Sequence, residues 1–162
     1  MDVSAIIMAT LASEFSDLTD VEQATRVSLR LVLAAMLGGM LGYEREQHGK
    51  AAGIRTHMLV SMGAALFVLG AVLVEAGDDA MSRVVQGIVA GVGFLCAGTI
   101  LKGGKMAEVS GLTTAAGVWM TSAVGVCVGL GLEATAVLAT LMMLFILNVI
   151  PHILERLEKH RR

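Results

Sequence analysis

Five long runs of apolar residues constrain this chain more than any other feature of its sequence. They lie at about residues 27–43, 56–75, 84–101, 109–131 and 134–150. Each is close to the roughly 20 residues that an α-helix needs to cross a hydrocarbon core of about 30 Å. Their apolar residues come in blocks rather than at an amphipathic spacing, and only 16% of the chain is charged. The sequence therefore predicts an all-α, polytopic helical membrane protein with five transmembrane helices.

The basic residues are distributed unevenly between the two sides of such a bundle. Nine of the twelve Lys and Arg residues fall in the first connection, the third connection or the tail after Pro151. The positive-inside rule places that side in the cytoplasm and the N-terminus outside. The predicted organisation is an acidic outer segment (1–22), a transmembrane domain (23–151) and a basic cytoplasmic tail (152–162). A net charge of −2 favours no nucleic-acid partner.

The N-terminal segment holds five acidic residues and no basic n-region of the kind that a signal peptide has. We expect it to be retained as a short surface helix. Thr19 and Asp20 are candidate caps for the first span, with Glu22 and Gln23 as capping-box partners. At the other end of the domain, Pro151 is expected to stop the fifth span.

Arg30 lies about one turn inside the outer boundary of the first span. It can extend its guanidinium to the outer headgroups while its stem stays in the apolar layer. Alternatively it faces inward and pairs with an acid on the same side, Asp78 or Asp79, because a charge at depth is costly and tends to mark function.

The glycines have the spacing of helix-packing positions. All nineteen lie between Gly38 and Gly131, and small residues four apart let helix backbones approach closely. This pattern predicts tight packing within one chain or across a homo-oligomer, most simply a dimer. A narrow pathway lined by backbone and small hydroxyls of the fourth span is the alternative. The packing positions are Gly38, Gly42, Gly87, Gly91, Gly117 and Gly125.

The connection between the first two spans, GYEREQHGKAAGIRTH (42–57), gathers ionisable groups of both signs. Glu44 precedes His48, and Glu46 precedes Lys50, by the four residues that pair side chains on a helix. One interpretation is an ion-pair network joining the two helices, in which Arg55 contributes more stability than Lys50. The other is a contact site for a divalent cation or an anion, since hydrated Mg²⁺ is usually held by one or two carboxylates and waters. Whether any metal binds is left open.

No catalytic constellation is visible. No nucleophile has a positioned base nearby in the sequence, so we expect no enzyme. Cys96 and Cys127 both fall inside apolar runs and are expected to be buried thiols rather than a disulfide or metal pair. Trp119 lies near the middle of the fourth span, which favours packing in the core or between subunits over an interfacial aromatic belt.

Four segments together resemble the membrane domain of the MgtC/SapB family, over about residues 23–131. They are GYERE, AGIRTHMLVSMGAALF, GIVAGVGFLCAGTIL and SGLTTAAGVW. The chain departs from the family pattern at Cys96, where glycine is usual, and at Ser110, where arginine is common. The eleven residues after Pro151 are too few for the ACT-like domain of many members. The family signature falls on Glu44, Arg45, Glu46, Gly53, Arg55, Thr56 and His57, and on Asp79, Gly93, Gly98, Gly111, Leu112, Thr113 and Thr114.

The resemblance implies a multi-pass protein of the bacterial inner membrane, linked to growth at low magnesium and to virulence. It further implies regulation of a membrane partner, such as the F-type ATP synthase, without a cofactor. A small divalent-cation transporter, with Glu44 and Glu46 at its inner mouth, is the alternative. The spans hold no acidic residue at mid-membrane, where a cation pathway is expected to have one.

Overall fold

The computed structural model is all-helical over the residues it describes, which are 2–16, 18–101 and 110–159, without the side chains of 101, 155 and 158. The last five helices are long and apolar enough to cross a membrane, whereas the first has 12 residues. The prediction of an all-α fold with five potential membrane spans is confirmed. The helices are α1 (Val3–Glu14), α2 (Val21–Gln47), α3 (Ile54–Leu73), α4 (Asp78–Leu101), α5 (Leu112–Leu130) and α6 (Glu133–Lys159).

The helix ends follow the local sequence with one exception. Asp20 caps α2, and its carboxylate accepts a hydrogen bond from the Glu22 N–H at 3.2 Å. The expectation that Pro151 ends the last helix is wrong, because α6 continues through it to Lys159. A proline removes one backbone donor, and a long membrane helix tolerates that loss. Four of the nine basic residues that predict the cytoplasmic side lie outside the described residues: Lys102, Lys105, Arg161 and Arg162. Val109, in the fourth predicted span, also lies outside them.

The helix α5 lies at the centre of the bundle. It packs against α2, α3, α4 and α6, while α4 also contacts α3 and α6 also contacts α2. More than half of its span is buried, and it contains no charged residue. Small residues on α5 leave room for these four neighbours. The apolar core that they enclose includes Leu37, Leu41, Ala65, Val124, Val128 and Met143.

The outer helices α4 and α6 expose most of their apolar surface. Only 6% of the span of α4 and 11% of that of α6 is buried, so the rest of the described chain leaves most of the surface of these two helices uncovered. Trp119 is 46% exposed on the face of α5 that the other helices leave open. It is therefore outside the core of a single chain. The helix α1 is exposed along its whole length and contacts none of the other helices.

The alternating direction of the spans gives the bundle two ends, which we call the α2–α3 end and the α5–α6 end after the connections that they hold. The N-terminus of α5 also lies at the α2–α3 end. Gly111 begins that helix with φ +88°, and a Cβ there would lie 2.6 Å from the Thr99 carbonyl oxygen of α4. Only glycine fits both conditions without strain.

Candidate functional site

Ionisable groups at the α2–α3 end form a cluster, the ionic cluster, made of the buried Glu44, Arg45 and His57 and the exposed His48. The exposed fraction is 6% for Glu44, 3% for Arg45 and 0% for His57. Glu44 Oε2 lies 3.5 Å from Arg45 Nη1, and Glu44 Oε1 lies 3.0 Å from His48 Nδ1. The predicted Glu44–His48 pairing is therefore present. Opposite charges this close offset part of the desolvation cost that each would carry alone.

Arg45 also links α2 to the central helix. Its Nη2 donates to Thr114 Oγ1 at 3.4 Å, and Thr114 is itself 3% exposed. Thr114 belongs to the G-L-T-T segment that begins α5. The two most distinctive sequence motifs, G-Y-E-R-E and G-L-T-T, thus meet through one side-chain hydrogen bond inside the bundle.

Glu46 has a different role from Glu44. It is exposed, and its Oε2 accepts a hydrogen bond from the Ile54 N–H at 2.9 Å. This satisfies a backbone donor in the first turn of α3, where Gly53 provides no side-chain cap. Gly53 also leaves the space that the Glu46 carboxylate occupies, since a Cβ there would collide with it. Glu46 therefore links the end of α2 to the start of α3.

His57 is the most enclosed member of the ionic cluster. Its Nδ1 lies 3.0 Å from the Gly53 carbonyl oxygen, so Nδ1 carries the hydrogen and Nε2 is an acceptor. Among the described residues, neither His57 Nε2 nor Ser61 Oγ has a hydrogen-bond partner. Sequence reasoning missed Ser61, although its position one turn after His57 was a usable signal.

Besides Glu46, two residues of the predicted motif are not in the ionic cluster. Arg55 and Thr56 are exposed, and within the described part of the chain Arg55 forms no ion pair, nor does Lys50. Among the described residues the structure thus shows no ion pair through which Arg55 joins the two helices. The first turn of α3 directs His57 inward, and Arg55, two residues earlier, points away. The arginine that forms an ion pair with Glu44 is Arg45.

The predicted packing glycines divide into three groups. At Gly38, Gly42 and Gly125 a Cβ would fall within 3 Å of backbone atoms of the first two turns of α3 or of the residue before it. At Gly117 the nearest atom would be the flexible Met143 Cε at 3.4 Å, which is an ordinary contact. At Gly87 and Gly91 no atom of the described chain lies within 4 Å of that position.

The α5–α6 end holds a second charged contact. Arg30, with a side chain 14% exposed, donates from Nη1 to the Gly129 carbonyl oxygen at 3.0 Å, and its Nε lies 3.4 Å from Glu133 Oε1. It turns inward, as one alternative proposed, but its partner is Glu133. Asp79 is exposed in the first turn of α4. Gly131, with φ +82°, has no Cβ to collide with the guanidinium.

Within residues 2–16, 18–101 and 110–159, no group of three His, Cys, Asp or Glu side chains is placed to hold a metal ion. Cys96 and Cys127 are free thiols, half-buried rather than fully buried, and Cys96 Sγ lies 3.2 Å from the Ala115 carbonyl oxygen.

These features define a multi-pass helical membrane protein with a buried ion pair at one end of its bundle and a half-buried ion pair at the other. The chain belongs to the MgtC family: the sequence model of that family matches residues 31–156. This confirms the resemblance and extends it through most of α6. No solved structure matches this chain.

Similar proteins occur in several bacteria. Protein SrpB of Synechococcus elongatus is 44% identical over 133 residues, which cover 75% of this chain and 73% of that protein. Protein MgtC of Brucella abortus is 43% identical over 125 residues, covering 77% of this chain and 51% of that protein. The Escherichia coli protein named "Putative magnesium transporter YhiD" is 39% identical over 137 residues, covering 80% and 62%. The chain thus spans from about half to three quarters of the length of these relatives.

Proposed function

We propose that this protein is a non-enzymatic regulator of a membrane partner in the bacterial inner membrane, acting in adaptation to low magnesium and in virulence. Its N-terminus is outside and its C-terminus is cytoplasmic, so the ionic cluster lies at the cytoplasmic side. The F-type ATP synthase is the partner that the family resemblance implies.

One observation carries the choice of a regulator over a transporter. Among the described residues, the buried ion pair Glu44–Arg45 and the half-buried ion pair Arg30–Glu133 lie at opposite ends of the bundle. Between the ends, the core cluster of Leu37, Leu41, Val124 and Val128 fills the space around α5. A cation crossing there would lose its hydration shell without gaining charged ligands, which is costly in a medium of low dielectric constant.

The partner is tested by crosslinking in native membranes. The tagged protein is crosslinked in cells grown at high and at low magnesium, and the captured proteins are identified by mass spectrometry. We expect ATP synthase subunits to be enriched at low magnesium over a control with an unrelated five-span protein. Equal recovery from both baits would remove the proposal.

A divalent-cation transporter is the second candidate, and the name of the Escherichia coli relative favours it. The pure protein is reconstituted into liposomes that contain a magnesium-sensitive dye, and influx is followed with and without Glu44→Gln. The regulator proposal expects the liposomes to stay tight. Influx that Glu44→Gln abolishes would establish the transporter instead.

A homodimer is the assembly that we propose. Gly87 and Gly91 line an open groove between α4 and α3, and no atom of the described chain lies within 4 Å of where their Cβ atoms would be, so a helix of a second copy can approach them closely. The mass of the protein in nanodiscs tests this, and a monomeric mass would refute it. Gly87→Leu with Gly91→Leu is expected to shift a dimer to monomer, whereas Gly70→Leu, also at an open glycine, leaves it intact.

A further inference from the structure

A pocket opens between α2, α6 and the start of α3, and two members of the ionic cluster, Glu44 and His48, contribute to its lining. Its volume is about 630 Å³. Gly39, Met40 and Leu144 line one part of it, and Tyr43, Gln47 and His48 line another. Because α2 runs toward the α2–α3 end, the apolar part lies deeper in the bundle and the polar part lies nearer that end.

The side chains in the polar part are fixed by contacts behind the pocket. His48 Nδ1 lies 2.8 Å from the Glu44 carbonyl oxygen and 3.0 Å from Glu44 Oε1. Nδ1 therefore carries a hydrogen, and Nε2 is the ring nitrogen left for a ligand, to which it donates a hydrogen bond when the imidazole is protonated. The side chain of His48 is 53% exposed, whereas that of Glu44 is 6% exposed. Gln47 Nε2 donates to the Tyr43 hydroxyl, which leaves the phenolic hydrogen for another acceptor.

The charges around the pocket favour an anion over a cation. Glu44 also lines the pocket, but both of its carboxylate oxygens are enclosed, so neither is open to a cation. Lys50 and Arg55 are exposed at the same end, and neither has an ion-pair partner in the described part of the chain. The carboxylate of Glu46 is also exposed there, so these three groups together carry a net positive charge, which favours an anion at His48.

We propose that this pocket binds one anionic phospholipid. The phosphate accepts hydrogen bonds from His48 and from the Tyr43 hydroxyl, and an acyl chain lies along Gly39, Met40 and Leu144. A free phosphate has no apolar group that could fill the apolar part of the pocket. A lipid matches both parts, and basic groups beside a pocket between membrane helices are the usual setting for such a headgroup. The proposal does not depend on which partner the protein regulates.

The test uses the purified full chain in detergent and native mass spectrometry with added dioleoyl-phosphatidylglycerol or dioleoyl-phosphatidylcholine. We expect one phosphatidylglycerol per chain to bind in preference to phosphatidylcholine. His48→Ala is expected to weaken phosphatidylglycerol binding about tenfold, which is typical for loss of a charge-assisted hydrogen bond. His152→Ala is the matched control, because its Nδ1 contacts the carbonyl four residues earlier in the same way (2.7 Å) and it does not line the pocket.

Two further arms test the acyl contact and the source of the phosphate. Met40→Trp is expected to lower binding by filling the apolar part, and Met36→Trp, on the exposed surface one turn earlier, is expected to leave it unchanged. Millimolar inorganic phosphate is expected not to displace the lipid. Equal binding of the two lipids, equal effects of the two histidine variants, or displacement by phosphate alone would each overturn the proposal. Magnesium binding that His48→Ala enhances would overturn it in favour of a cation at Glu44.

Discussion

Gly125 and Gly117 share one face of α5, are both buried, and differ in what a methyl group would meet. At Gly125 a Cβ would collide with the Ser61 carbonyl oxygen and would lie 2.8 Å and 2.9 Å from Ser61 C and Cα. Those are backbone atoms in the interior of α3, so they cannot move without the helix. At Gly117 the nearest neighbour would be the end of a methionine side chain at 3.4 Å. Both glycines lie in the same helix, so a comparison of their alanine variants isolates the effect of the contact between Gly125 and the Ser61 backbone.

The expected magnitude for Gly125→Ala follows from two opposing effects. Overpacking a well-packed interface costs about 1–3 kcal/mol, and a backbone that cannot yield places this site near 3 kcal/mol. Alanine recovers up to about 1 kcal/mol of helix propensity. The net loss is about 2 kcal/mol, which corresponds to a fall in melting temperature of about 4–8 °C for a chain of this size. Gly117→Ala keeps the propensity gain without the collision, so its melting temperature stays level or rises.

Thermal unfolding in a mild detergent, followed by the fluorescence of the single tryptophan, measures both variants against the parent protein. Trp119 lies on α5 between the two glycines and reports on the same helix. If Gly125→Ala melts with the parent, or if Gly117→Ala falls as far, the close approach of α3 and α5 does not set the stability of the bundle.

Three other predictions concern the charged contacts. Arg45→Met is expected to lower the free energy of unfolding by about 3–5 kcal/mol because it leaves the buried Glu44 carboxylate without its counter-charge, whereas Arg55→Met changes it by less than about 0.5 kcal/mol. Chemical denaturation in micelles compares the two variants. Equal losses would contradict the conclusion that Arg45 is the partner of Glu44. Glu46→Ala is expected to cost about 1 kcal/mol through the lost hydrogen bond at the start of α3, and Glu46→Gln, which keeps an acceptor, to restore most of it in the same assay. Arg30→Leu is expected to speed amide hydrogen exchange in the connection between α5 and α6, while Arg26→Leu, at an exposed position, does not; unchanged exchange in both would show that the arginine contact is dispensable.

The five spans and their approximate bounds were predictable because each membrane helix appears in the sequence as a continuous run of apolar residues. The Asp20 cap was predictable because N-caps are local. The prediction for Pro151 was wrong because a proline ends a helix only where the backbone can adopt another conformation. A helix in a membrane has few other conformations that satisfy its backbone hydrogen bonds.

The site was predictable only where its contacts are local. Glu44 and His48 are four residues apart on one helix, and the sequence indicated their pairing. Whether Arg45 or Arg55 faces inward depends on how α3 is rotated against α2, which periodicity in a uniformly apolar helix does not encode. Arg30 and Glu133 are about a hundred residues apart, and no pattern distinguished Glu133 from Asp79 on the same side.

The bond between Arg45 and Thr114 has a consequence for how the protein is made. The two residues are 69 positions apart in the chain. At about 5–20 residues per second, Arg45 emerges from the ribosome roughly 3 to 14 seconds before Thr114. During that interval α3 and α4 are also made, and α2 can pack against α3 directly. Gly125 and Gly129 of α5 are then the groups still missing from the surface of α3. Insertion of α5 is thus the step that fills the centre of the bundle, and a chain stalled before it lacks the contacts of its central helix.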